Sequence, residues 1–262
     1  MRALGAPVAL VAASGAIALL PGAADARAPV LYTQKGVAAA RAFARSRQGV
    51  VSFAVLDPEG HVSGLAVRTQ HRSASVSKAM LLVAALRRAA HRRLTSAEKA
   101  LLRPMITQSD NDAASAVYEM VGGDAALLRV AALAHMNHFE AAGFWSEARL
   151  TAIDQARLFL HMASLLPERH RPYGMGLLKS IVPDQSWGIA AVARRHRMRA
   201  YFKGGWRPGA MAHGQWRPAI ASQIALLRRG HRRIAVAVLT TGSPSVEYGE
   251  RTIAGIAQRV LG

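Results

Sequence analysis

The chain has 262 residues, 51% of them hydrophobic and 19% charged, which supplies apolar material for a sizeable core and excludes wholesale disorder. It has no cysteine, so disulfide scaffolds, thiolate metal sites, cysteine nucleophiles and a lipid-anchor cysteine are excluded together. The net charge is +19, carried by 29 Arg and 5 Lys against 15 acidic residues, while only 6% of residues are aromatic, which disfavours a base-stacking nucleic-acid surface.

Met1-Arg2 is a short positive start, and Ala3 to Ala24 carries no charge. Ala24-Asp25-Ala26 and Ala26-Arg27-Ala28 then offer small-x-small cleavage sites, so residues 1–28 read as an export signal. An uncleaved membrane anchor is the alternative, but the run is Ala- and Gly-rich with Pro7 and Pro21, hence weakly apolar. The remaining chain is expected to be secreted, periplasmic or associated with the cell wall. There the charge of pairs such as Arg87-Arg88, Arg194-Arg195 and Arg232-Arg233 would meet anionic wall polymers rather than nucleic acid; a solvated arginine surface is the plainer reading.

Helical spacing runs over 34–47. Two apolar stretches, 50–56 and 61–67, flank Asp57-Pro58-Glu59-Gly60 and predict a hairpin. An apolar helix is predicted over 76–90, and Thr95-Ser96-Ala97-Glu98 is a capping box that opens the next. Further helices are predicted over 112–120, 124–136, 153–166 and 173–181. Strands follow over 199–203, 219–227 and 234–240, and a last helix over 246–261. Strands at both ends can share one antiparallel sheet with the helical block inserted between them. The expected division is an α/β lobe of 29–70 with 190–262 and a helical lobe of 71–189, with a cleft at the seam.

Three short strings carry chemistry. In Ser75-Val76-Ser77-Lys78 the serine and lysine lie one helical turn apart on one face. Serine needs a base, and a desolvated lysine can become one whereas arginine cannot. Lys78 thus departs from the chain's preference for arginine at the place where a deprotonable cation is required. A capping serine followed by an incidental lysine would look the same, and composition predicts about 0.3 such matches by chance. Ser109-Asp110-Asn111 is sharper, at about 0.003 chance occurrences. It also suits a helix cap, with Ser109 as proton relay and Asn111 holding a substrate amide. Lys203-Gly204-Gly205 ends a predicted strand, where glycines admit a ligand and the lysine offers charge to a carboxylate.

On these strings the chain resembles the penicillin-recognising serine hydrolases, specifically the class A β-lactamase-like and penicillin-binding-protein-like group. The resemblance implies an α+β fold: a five-stranded antiparallel sheet flanked by helices, with an inserted all-helical lobe. It implies Ser75 as acylated nucleophile, Lys78 as proton acceptor and Ser109 as relay. Asn111, Lys203, Gly205 and Trp206 become substrate contacts, with backbone N–H groups of Ser75 and Trp206 forming an oxyanion hole. No cofactor or metal is implied, and a monomer is expected. Substrates would be β-lactams or peptidoglycan peptides; D-alanyl-D-alanine carboxypeptidase or transpeptidase activity and non-catalytic wall binding are the alternatives. Gln185-Ser186-Trp187-Gly188 and Gly205-Trp206 are similar to segments of secreted members of this group.

Differences stand beside the likeness. Lys-Thr-Gly has become Lys-Gly-Gly, and Ser75 and Ser109 are close in sequence for this group. Glu-x-x-Leu-Asn, which carries the water-activating acid of class A enzymes, is matched only by Glu147-Ala-Arg-Leu-Thr; Glu147 and Glu140 are the two candidates. His135 and His138 have metal-ligand spacing but no clear third ligand, and no Gly-x-Ser-x-Gly elbow is present.

Overall fold

A computed structural model describes Met1, residues 31–212 and residues 215–262. The expected export signal lies outside the described residues. Residues Leu31–Gly262 form one compact unit.

Helix α1, Gln34–Arg45, starts where Thr33 accepts a hydrogen bond from Gly36 N at 3.0 Å, and it buries Val37, Ala40 and Ala44, one face at helical spacing. Strands β1, Val50–Leu56, and β2, Val62–Leu65, make the expected hairpin. Its turn closes as Gly60 N donates to Asp57 O, with Gly60 at φ +88°, where a glycine has no steric cost. After the two-residue strand β3, His71–Arg72, and a 3-10 turn, Ala74–Ser77, the helical block begins with α2, Lys78–Arg88, and α3, Ser96–Thr107. The capping box forms as read: Glu98 N donates to Thr95 Oγ1, and Thr95 N to Glu98 Oε2. The block continues through α4, Asn111–Val121, and α5, Gly123–Leu133. Strand β4, Arg149–Leu150, pairs with β3, and α6, Ala152–Leu160, α7, Met162–Leu165, and α8, Arg171–Lys179, complete the block.

Helix α9, Gly188–Arg195, returns the chain to the sheet. Strand β5, Arg199–Arg207, a small ribbon of β6, Ala210–Ala212, with β7, Gln215–Arg217, and then β8, Ala219–Arg229, and β9, Arg232–Ser243, lead to α10, Val246–Leu261. The main sheet is antiparallel in the order β2-β1-β9-β8-β5, which leaves β5 at an edge. The five-stranded antiparallel sheet with flanking helices is the one that the resemblance implied.

Two apolar layers clothe the sheet, and strand periodicity sorts residues between them. Phe53, Val55, Ala225, Val236 and Val238 pack with α1, α9 and α10. Ala54, Leu56, Ile224, Ala237 and Leu239 face the helical block. On β5 the same alternation puts Tyr201 on the helical-block face and Phe202 on the other. Lys203, Gly205 and Arg207 thus share the face turned to the block. Among the described residues no helix is long and apolar enough to cross a membrane.

Candidate active site

The Ser-Asp-Asn string is the joint between two helices. Gln108 closes α3, Ser109 turns the chain with φ +60°, and Asp110 caps α4 by accepting from Ala113 N at 2.7 Å. A left-handed serine costs about 1–3 kcal/mol and persists where surrounding structure holds it. With Asp110 used as the cap, Ser109 and Asn111 are left to face α2.

There they meet Lys78, which is fully buried. Its Nζ donates to Ser109 O at 2.5 Å and to Asn111 Oδ1 at 2.7 Å, and lies 3.3 Å from Ser109 Oγ. Lys203, also fully buried, reaches the same hydroxyl from the sheet edge: its Nζ donates to Ser109 Oγ at 2.9 Å and to Gly204 O at 2.8 Å. Burial lowers the pKa of Lys78 to about 8, against a raising influence of Asp110. Burial and the neighbouring Lys78 push Lys203 well below the ordinary lysine range.

Ser75 lies in the 3-10 turn that runs into α2, rather than in the α-helix expected there, and the N–H of Lys78 donates to its carbonyl. The residue before it, Ala74, has φ +44°, a second strained position at the site. Ser75 is half-buried and opens on a cleft of about 260 Å³ shared with Asn111, Ser115, Trp145, Glu147 and Trp206. Gly205 is dictated by this approach, since a Cβ there would stand 2.8 Å from the N atoms of both Ser75 and Val76. Gly204 faces the opposite side of the strand, where a Cβ would come within 3.1 Å of the Trp187 ring. Trp187 packs edge-on against Trp206, with ring centres 6.2 Å apart. The indole takes up the room that the side chain of a Lys-Thr-Gly strand would need.

Sequence reasoning missed Trp145. Its ring lies over Lys78, the Nζ being 4.6 Å from the ring centre, and its indole N–H donates to Ser115 Oγ. The backbone beside it is stitched to the turn that carries Ser75: Ser73 Oγ donates to Trp145 O, Ser73 N to Ala148 O and Ala74 N to Ser146 O. The preceding loop is held by Asp154, which accepts from the N–H groups of Asn137 and His138, and by Asp124, which accepts from Gly143 N. Four tryptophans in the whole chain made each of them a signal worth following.

The two acid candidates fall in different places. Glu147 lines the cleft, but its carboxylate is taken by Arg72, by Arg207 at 3.3 Å and by Arg217 at 3.7 Å. Glu140 bridges to Arg149 through its backbone and accepts from Gln70 Nε2, and it does not line the cleft. His138 faces Asp154 at 3.5 Å. Among the described residues the three-ligand cluster lies elsewhere, at Asp57, Glu59 and His61 on the hairpin turn.

Residues 99–262 match the model of the beta-lactamase enzyme family. Among solved structures, a beta-lactamase from Xanthomonas campestris pv. campestris is similar with a TM-score of 0.74 at 15% identity, covering 88% of this chain and 98% of that one. A beta-lactamase from Sphaerobacter thermophilus gives 0.71 at 20% identity, covering 86% and 94%. The protein PBP-A gives 0.70 at 13% identity, also covering 86% and 94%. At these identities the likeness is one of fold. No match was found among curated protein sequences.

Proposed function

Since the chain belongs to the beta-lactamase enzyme family, we propose that it is a serine hydrolase that forms an acyl-enzyme on Ser75 with β-lactams and related acyl-D-amino-acid amides. The convergence of two buried lysines on Ser109, beside the cleft onto which Ser75 opens, is the observation that carries this reading. Buried cations without a carboxylate partner are costly, and they cluster where a shifted pKa is used.

A neutral Lys78 has two N–H donors and one lone pair. Ser109 O and Asn111 Oδ1, its two shortest contacts, occupy the donors, so the lone pair is available for the Ser75 hydroxyl proton. Ser75 Oγ then attacks the carbonyl, and the N–H groups of Ser75 and Trp206 receive the developing oxyanion. Ser109 Oγ, between the two ammonium groups, passes a proton to the leaving nitrogen. Asn111 has its oxygen committed to Lys78, which leaves its amide N–H groups for a substrate carbonyl. Lys203 attracts the substrate carboxylate. Water finally cleaves the ester.

That last step favours a second reading. Glu147, the carboxylate lining the cleft, is engaged by three arginines, which stabilise its charge and weaken it as a base. Slow deacylation, or transfer of the acyl group to an amine, fits a D-alanyl-D-alanine carboxypeptidase or transpeptidase. Either activity is proposed for an exported protein, consistent with the signal read at residues 1–28.

Intact-protein mass spectrometry during exposure to benzylpenicillin tests both readings. A mass gain equal to the whole drug is expected, absent in Ser75→Ala. Decay of the adduct within seconds supports the lactamase, and persistence over many minutes supports the peptidase. No adduct at all, with retention on purified cell wall, would replace both by a binding protein.

A further inference from the structure

Strand β5 sets a basic residue on either side of Gly205, Lys203 buried beside the cleft and Arg207 lining it. Lys203, Gly205 and Arg207 lie on its helical-block face, and Gly205 rests against the Ser75 turn. An extended substrate with its reacting carbonyl at Ser75 therefore has a positive side chain about 7 Å along the strand in each direction. Lys203 marks the leaving-group end, because it bonds the proposed relay Ser109. Arg207 marks the acyl end.

Arg207 does not stand alone there. Arg72, Arg207 and Arg217 surround the single carboxylate of Glu147. A second pocket, of about 150 Å³, opens beside the cleft and shares Arg207 with it; Arg72 and Arg149 also line it, above the buried His71. Three guanidinium groups thus face one acid, and a fourth, that of Arg149, belongs to the second pocket. Arg207 Nε is buried and has no hydrogen-bond partner. Burial first, and then the surrounding arginines, lower the pKa of both Arg72 and Arg207, the mark of a site short of negative charge.

We propose that this second pocket is a subsite for a carboxylate on the acyl side of the substrate, so that the preferred substrate is a dianion bound through Lys203 at one end and through Arg207 and Arg72 at the other. The inference rests on the acyl-enzyme reading for the direction in which the substrate lies. It narrows the substrate class to β-lactams and acyl-peptides whose acyl side chain carries an acid. Neutral or cationic side chains leave Arg207 Nε unsatisfied and gain nothing from the pocket.

Benzylpenicillin and its α-carboxy derivative carbenicillin differ by the one group in question. The wild-type protein is expected to be acylated by carbenicillin about tenfold faster, the scale of a charge-assisted hydrogen bond. In the double variant Arg72→Ala with Arg207→Ala this ratio falls towards one. Equal rates for the two drugs in the wild type would overturn the subsite and leave the acyl-enzyme intact. The equilibrium affinity of Ser75→Ala for each drug, followed by ligand NMR, separates the two ideas. Tighter carbenicillin binding there, with no adduct in the wild type, removes the acyl-enzyme and keeps the pocket. No adduct and no preference removes both.

Discussion

Basic residues gather both beneath the cleft and at its rim, and the two groups are built from different side chains. Beneath the cleft Lys78 and Lys203 are fully buried, share one serine hydroxyl and have no carboxylate among their hydrogen-bond partners. At the rim the arginines are half-buried or exposed and gather round Glu147. An arginine stays protonated in either setting, whereas a buried lysine is brought within reach of neutral pH. In a chain with 29 Arg and 5 Lys, two of the lysines are buried and meet at Ser109.

The contrast breaks most sharply if Lys78 is made to behave like the rim. Lys78→Arg keeps the charge and removes the base, and it is expected to slow acylation by about 10³-fold. Stopped-flow trapping of the penicillin adduct measures this, and a loss smaller than tenfold would mean that another group accepts the proton. The same distinction predicts the pH profile. Lys78 acts when neutral, so the acylation rate should rise about tenfold per pH unit up to about 8 and level above it. A rate that is flat from pH 5 to pH 8 would remove the lysine as base.

Gly204→Thr restores the hydroxyl of a Lys-Thr-Gly strand but drives a Cβ to within 3.1 Å of Trp187. Acylation is expected to drop roughly tenfold, the scale of the 1–3 kcal/mol cost of overpacking. Trp187→Ala in the same chain should recover most of it. Additive losses in the double variant would show that the two residues do not compete for space.

The rim has a titrating group beneath its arginines, and its effect falls on stability rather than on rate. His71 is held between Thr241 Oγ1 and Ser52 Oγ, and burial lowers its pKa to about 4. The unfolded chain takes up this proton near pH 6.5 and the folded one only near 4, so the stability is complete above 6.5 and drains away as pH falls. About 2–3 kcal/mol is lost by pH 4.5. Urea midpoints of the wild type should fall between pH 7 and pH 4.5 by more than those of His71→Gln; parallel falls would contradict the assignment.

Much of this was legible before any coordinates. The hairpin, the capping box at Thr95, the helical block and the final helix follow from local periodicity and capping, which the surrounding structure reinforces. The three strings contained Lys78, Asn111 and Lys203, which the fold brings together around Ser109. What escaped depends on contacts distant in sequence. Strands β3 and β4 are two residues each and exist only through their pairing. Helix α9 begins at Gly188 with φ +55° and no capping side chain, so nothing local announces it. Trp145 lies over Lys78 because the backbone beside it is stitched to residues 73 and 74, far away along the chain. Glu147 matched the motif of a base, yet its partners come from β3, β5 and β7, and only their assembly reveals its engagement.

The clustering of indoles has a practical outcome. Trp145 and Trp206 line the cleft beside Ser75, and Trp187 packs against Trp206 from the other side of β5. The fourth, Trp216, is largely exposed to solvent. Acylation of Ser75, as proposed, is expected to change the emission of Trp145 and Trp206. The two indoles would then act as an optical reporter for colourless ligands that no chromogenic assay can see.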